Sequence, residues 1–260
     1  MTYKQLIKRA MRDSGFGHFD DSITDLDELH EESPQQMMAD WVNDAWNYIQ
    51  AARHDWFFLR ASFKKTLSAA LAAPGNTSND ETLEIQPSAL VPDWGAWRTT
   101  GVSEQPEVEV EGYSGSWQLQ AVGDSPGPRW AALPFVPWGD FRRDYVFADA
   151  QSFANDRPIA FSYDEVGNIH IAPRVLDGYI LHGDYRRAPQ QFTRLTDTPL
   201  AGFPARYHGM IQFQAMMYYY LFDETSTGLP SADFEYKQLW TLAVAELTPK
   251  PRTAGTYVGI

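Results

Sequence analysis

Trp138-Gly139-Asp140-Phe141-Arg142-Arg143-Asp144-Tyr145 opens the stretch that decides the fold, and Arg157-Pro158-Ile159-Ala160-Phe161-Ser162-Tyr163, Gly167-Asn168-Ile169-His170-Ile171-Ala172-Pro173, Tyr179-Ile180-Leu181-His182-Gly183-Asp184-Tyr185-Arg186-Arg187-Ala188-Pro189 and Pro204-Ala205-Arg206-Tyr207-His208 continue it. The first segment places Trp138, Phe141, Tyr145 and Ala148 on one side of a helix running to about Asp149. The next three are short runs of β-branched and aromatic residues, with Glu165-Val166-Gly167-Asn168 supplying turn chemistry between the first two. They predict a three-stranded meander over 158–163, 168–173 and 178–186. Two helices then follow, 204–222 opened by Pro204 and 232–247 with Ser231 as its cap. The short Gly228-Leu229-Pro230 connection makes them antiparallel neighbours. Met216-Met217-Tyr218-Tyr219-Tyr220-Leu221-Phe222 is apolar all round, so that helix must be enclosed on several sides.

Upstream, Thr2 and Gln5 form a capping box for a helix over 3–13. The segment 14–32 reads as an acidic loop with one helical turn around Leu26. Ser33-Pro34 starts a second helix, with Gln36 completing another box, and Met37, Met38, Trp41, Val42, Ala45, Trp46 and Ile49 spread over more than one face. Trp56-Phe57-Phe58-Leu59-Arg60 reads as a strand or as the end of the helical unit turning into one, continued as strand by Ala61 to Thr66. Residues 67–130 carry Pro, Gly, Ser and Asn punctuation around short alternating runs at 82–85, 107–111 and 116–122. The fold class is therefore α+β: a helical bundle of long helices with a small antiparallel β-sheet and an inserted β-rich segment. The expected partition is a helical core with β meander from 1–66 and 138–248, an insertion at 67–137, and an extended tail at 249–260.

Composition excludes more than it assigns. The chain has 260 residues, 43% hydrophobic and 21% charged, with no cysteine. That is a globular composition without disulfides, thiolate metal sites or cysteine nucleophiles. The N-terminal residues lack the apolar core of a signal peptide, and no run approaches ~20 apolar residues, so no membrane association is expected. A net charge of -13 opposes sequence-independent gripping of nucleic acid, yet suits a surface past which DNA slides. Arg142-Arg143, Arg186-Arg187 and Lys64-Lys65 are too few basic residues for a phosphate-tracking groove.

No catalytic constellation emerges. The 6 histidines, at 18, 30, 54, 170, 182 and 208, show none of the helical zinc spacings. His170 and His182 fall on adjacent expected strands with Asp184 nearby, where a metal or acid–base pair competes with simple cross-strand pairing, and pairing is the stronger reading. The carboxylates between Asp20 and Glu32 lack calcium-loop spacing. Trp94, Trp97, Trp117 and Trp130 beside acidic residues suggest a carbohydrate cleft no more than they suggest an interface. Phosphate-loop and nucleophile-elbow patterns are absent from the sequence. No catalytic residue, cofactor or metal ligand is assigned, and no enzymatic activity is expected.

Taken in order, these motifs resemble the tailed-phage head-to-tail adaptor (connector) family. The resemblance rests on Trp41-Val42-Asn43-Asp44-Ala45-Trp46-Asn47-Tyr48-Ile49 followed by Asp55-Trp56-Phe57-Phe58-Leu59, then Trp138 to Phe141, Pro158 to Tyr163, Ile169 to Pro173, Tyr179 to Pro189 and Pro204 to His208. It covers about the first 65 residues and everything after Trp138, while 67–130 is longer than the family pattern. The resemblance implies a virion protein at the head–tail interface, assembled in the host cytoplasm as a homo-oligomeric ring of twelve. Its implied partners are the portal protein, tail or nozzle proteins, and genome DNA passing through the lumen. A neck or tail-tube completion protein and a carbohydrate-binding or carbohydrate-active tail component are the alternatives. Aromatic and apolar positions on the helices and tail make Trp41, Trp46, Tyr207, Met216, Met217, Tyr220, Tyr257 and Ile260 the candidate subunit or portal contacts.

Overall fold

The computed structural model describes residues 1–73, 82–98, 117–121, 130–147, 158–174, 179–223 and 227–249. The expected strand at 107–111 and the contacts at Tyr257 and Ile260 lie outside them. The architecture is mixed helix and antiparallel sheet, and the chain divides into two compact units. A helical unit comprises Met1–Leu59 with the described residues from Pro189 to Pro249, and a sheet unit comprises the described residues of Arg60–Ala188.

In the helical unit, α1 (Tyr3–Ser14) starts where expected. The Thr2 hydroxyl accepts from Gln5 N at 3.3 Å, and the Gln5 side chain accepts from Thr2 N at 3.0 Å. A 3-10 turn, Leu26–Glu28, interrupts the acidic loop with Asp25 as its cap. Ser33 caps α2 (Pro34–Ala51), but Gln36 does not close a box: its amide donates to Asp40 at 2.9 Å instead. The α5 helix (His208–Phe222) is preceded by a 3-10 turn, Ala205–Tyr207, and α6 (Leu229–Leu247) completes the unit. No side chain caps α6, because it begins at Leu229 and takes Pro230 into its first turn; the expected Ser231 cap lies inside the helix. The core joins Leu6, Ile7 and Met11 of α1 to Val42, Trp46 and Ile49 of α2 and to Met210, Ile211 and Ala215 of α5. The apolar α5 packs on α1, α2 and α6, the enclosure its sequence requires.

In the sheet unit, β1 (Arg60–Thr66) begins only after a 3-10 turn at Phe57–Leu59. One sheet is built on β8 (Tyr179–Arg187), which pairs antiparallel with β1, β3 (Trp94–Arg98) and β4 (Gln118–Ala121); β5 (Trp130–Ala132) adds to β4. A second sheet has the order β2 (Leu83–Ile85), β7 (Ile169–Ala172), β6 (Ala160–Tyr163). The three-stranded meander is thus corrected. Its first two strands form a hairpin, but the third leaves them for another sheet, because its partners come from 60–66, 94–98 and 118–121.

The same pairing draws the unit boundaries at Leu59/Arg60 and Ala188/Pro189 rather than at 66 and 137. Of the strands within 67–137, β3, β4 and β5 are hydrogen-bonded into the sheet that contains β8, and β2 pairs with β7 in the other sheet. A short helix, α3 (Pro87–Leu90), links β2 to β3. The helix expected over 138–149 is α4 (Trp138–Phe141) continuing as one π-helical turn, Arg142–Val146.

A shared core of aromatics unites the two sheets. Trp117 stacks on Phe161 at 4.3 Å and meets Trp97 and Phe63 edge-on at 5.4 and 5.3 Å. Gly183 of β8 sits beneath this cluster: a Cβ there would lie 2.6 Å from Phe63 and 2.8 Å from Trp117. Gly183→Ala is therefore expected to destabilise the protein by about 1–3 kcal/mol through overpacking, read as a lower urea midpoint at unchanged slope.

Candidate functional site

The candidate contact residues that fall among the described residues all lie in the helical unit. Of the residues expected to make subunit contacts, Trp46, Tyr207, Met216 and Tyr220 are 0, 4, 6 and 9% exposed. They belong to the protomer's own core: Trp46 stacks on Phe58 at 5.8 Å and on Phe192 at 6.1 Å. The Tyr207 hydroxyl donates to Glu246 at 2.6 Å, and Glu246 also pairs with Arg206, holding the start of α5 to the end of α6. Hydrophobicity alone does not distinguish a core from an interface. Trp41 and Met217 remain half-buried and partly accessible.

The accessible apolar surface falls on neighbouring positions instead. Met37, Trp41, Asp44 and Tyr48 recur at i, i+4, i+7 and i+11, so they form one stripe on α2. Trp41 anchors an aromatic cluster with Phe16 at 5.5 Å, Tyr219 at 6.1 Å and Phe222 at 5.6 Å. Leu221 and Phe222 at the end of α5 are each more than half exposed, as are Phe234 and Leu242 of α6. On α6 the exposed residues Phe234, Gln238, Thr241, Leu242 and Ala245 line a single uncharged face. The sequence pattern concealed this face, because α6 has apolar residues on its buried side as well: Ala232, Tyr236, Ala243 and Leu247.

Electrostatics in the unit are set by burial. The Tyr3 hydroxyl donates to the Ala39 carbonyl at 2.6 Å, and burial, reinforced by Asp40 and Asp44, pushes its pKa well up. His208 is 6% exposed: its Nδ1 accepts from the Met1 amino group at 2.9 Å, and its Nε2 lies 3.3 Å from the Phe203 carbonyl. A neutral imidazole protonated on Nε2 satisfies both contacts, a tautomer assigned from the network. Burial first, and the Met1 ammonium second, hold its pKa below the ordinary histidine value, against an upward pull from the Phe203 carbonyl.

In the sheet unit the expected pairing of His170 with His182 does not form, since the two stand on different sheets. His170 instead faces Asp164 at 3.4 Å, beside Glu84.

A family model described as "SU10 adaptor protein" matches residues 1–258. The chain belongs to the SU10 adaptor protein family, which agrees with the phage head-to-tail adaptor resemblance carried by its motifs. A comparison against curated proteins finds no match. Among the described residues, no helix is long and apolar enough to cross a membrane.

Two measurements check these assignments. Trp46→Ala is expected to cost about 3–5 kcal/mol, as large core truncations do, whereas Phe234→Ser should change the stability of the isolated chain by no more than about 0.5 kcal/mol. The depressed His208 pKa means that the unfolded chain takes up a proton first, near pH 6.5. Stability present above that pH is lost as pH falls toward the folded-state value. His182, lowered by burial and then by Lys64, acts in the same direction. The His208 share is read as the part of the decline in melting temperature between about pH 7 and 5.5 that His208→Gln removes.

Proposed function

We propose that this chain is a structural virion protein, a head-to-tail adaptor whose copies close into a ring of twelve beneath the portal protein. Tail or nozzle proteins bind its other side, and genome DNA passes through its lumen during packaging and ejection. The observation that carries this reading is the family match across residues 1–258.

Physical arguments support it. A ring closes by head-to-tail contacts, which require two different complementary faces on each protomer. The α2 stripe with Trp41 and Tyr48, joined by Met217, Leu221 and Phe222 of α5, is assigned to one face. The uncharged α6 stripe with Phe234 and Leu242 is assigned to the other. On α6, Phe234 and Leu242 flanked by uncharged positions make the anchors typical of a desolvated contact. Tyr257 and Ile260, in the stretch after Thr248, are assigned to a contact with the portal or a neighbouring copy. A net charge of -13 fits a conduit, since attraction at many phosphates would retard moving DNA.

Native mass spectrometry of the full chain, alone and with its portal, tests the proposal. The expected result is twelve copies of the 29.5 kDa subunit, formed alone or on the portal. Phe234→Glu combined with Leu242→Glu should leave a folded monomer and abolish the ring. A wild-type chain that stays monomeric and ignores the portal overturns the reading.

A further inference from the structure

The β2-β7-β6 sheet aligns three polar residues in one row. Glu84 of β2 is opposite His170 of β7, and His170 is opposite Ser162 of β6. Directly paired residues of antiparallel strands project to the same face, with Cβ atoms ~4.5–5.5 Å apart. Asp164 joins this row from the turn after β6. Its Oδ1 accepts from Val166 N at 3.0 Å and Asn168 N at 2.9 Å, which leaves Oδ2 directed at His170 Nε2. Gly167 locks the turn: its φ is +89°, and its carbonyl accepts from the Trp97 indole at 2.6 Å.

We propose that Glu84, Asp164 and His170 bind a divalent first-row transition ion of the zinc type, clamping the β6–β7 hairpin to β2. Their donor atoms all lie within 4.8 Å of one another. Ligands around a tetrahedral zinc with bonds of ~2.0–2.1 Å stand roughly 3.4 Å apart, so a rotamer change of the Glu84 side chain supplies the contraction. One imidazole with two carboxylates selects zinc-like ions over magnesium or calcium, which prefer all-oxygen shells.

Three further observations point the same way. The Ser162 hydroxyl, next to His170 in the row, is wholly buried and has no hydrogen-bond partner. Such an orphaned group is costly unless a ligand or an ion-bound water satisfies it. The His170 side chain is 8% exposed and stacks on Trp138 at 4.3 Å, so the ring is held against the carboxylates rather than turned to solvent. The Asn168 amide meets Glu84 and Asp164 oxygens, each at 3.1 Å, and so occupies the position between the carboxylates that a cation neutralises. Turned over, that amide offers its oxygen as a fourth donor.

Isothermal titration of the untagged, chelator-treated full chain with ZnCl2 is the test, with MgCl2 and CaCl2 as comparisons. One zinc per chain is expected, with magnesium and calcium at least tenfold weaker. His170→Gln and Glu84→Gln should each weaken zinc by at least tenfold, while His182→Gln leaves it unchanged. Circular dichroism of each variant confirms that it is folded; should His170→Gln unfold, Glu84→Gln alone decides. No stoichiometric zinc binding, equal binding of calcium, or undiminished binding by folded Glu84→Gln overturns the proposal. None of these outcomes bears on ring formation.

Discussion

A strand has two hydrogen-bonding edges, and β8 needs both to be filled by chain that lies far away in sequence. Along Tyr179–Arg187 one edge is taken over its length by β1, whose register runs from Arg60 opposite Arg186 to Thr66 opposite Ile180. The other edge is divided: β4 pairs with residues 179–182 and β3 with residues 184–187. Each partner removes a row of backbone groups that would otherwise template foreign strands. The division also explains Gly183. It stands where β4 gives way to β3, under Phe63 and Trp117, and the missing side chain lets those rings reach the sheet. The sheet unit, its boundaries and its aromatic core all follow from how β8 is satisfied.

The helical unit answers a different constraint. The α5 helix has no broad polar face, and α1, α2 and α6 pack around it. Where that enclosure runs out, at Leu221 and Phe222, apolar surface persists next to Trp41. The α6 helix packs on α5 through Ala232, Tyr236 and Ala243, leaving Phe234 and Leu242 facing outward. Large apolar side chains at helical spacing on an outward face mark a candidate interaction surface. The unit is built as a scaffold with faces left over.

What the sequence revealed was local, and what it concealed was long-range. The capping box at Thr2 and Gln5, the Asp25 turn and the Pro34 helix start are short-range bonds whose chemistry is written in neighbouring residues. Strand partnership is not: nothing near Tyr179 signals that it pairs with Ala121 rather than with β7. Burial on α2 and α5 was only half legible. Trp46 and Trp41 look alike in sequence, yet one fills the core and the other edges the surface, because a five-residue step on a helix turns by more than a quarter circle. The family motifs succeeded because they record order along the chain, which survives such errors. The Glu84–Asp164–His170 cluster was half visible. A metal role for His170 is the weaker reading of its sequence beside cross-strand pairing, and its cluster partners come from 86 residues upstream and from a turn, instead of from the neighbouring expected strand.

The faces proposed for subunit contact and the proposed ion site belong to separate units of the chain. Every exposed apolar stripe assigned to subunit contact belongs to the helical unit, while Glu84, Ser162, Asp164 and His170 belong to the sheet unit. A ring contact gains from desolvating aromatic side chains and tolerates rearrangement at its rim. An ion site requires fixed donors, which sheet register and a hydrogen-bonded turn supply better than exposed helix faces do. The hairpin that holds Asp164 is secured from both sides, by Trp97 on the Gly167 carbonyl and by Glu84 through Asn168. Donors held this firmly before an ion arrives lose little freedom on binding it, and that preorganisation turns a cross-strand polar row into a ligand set.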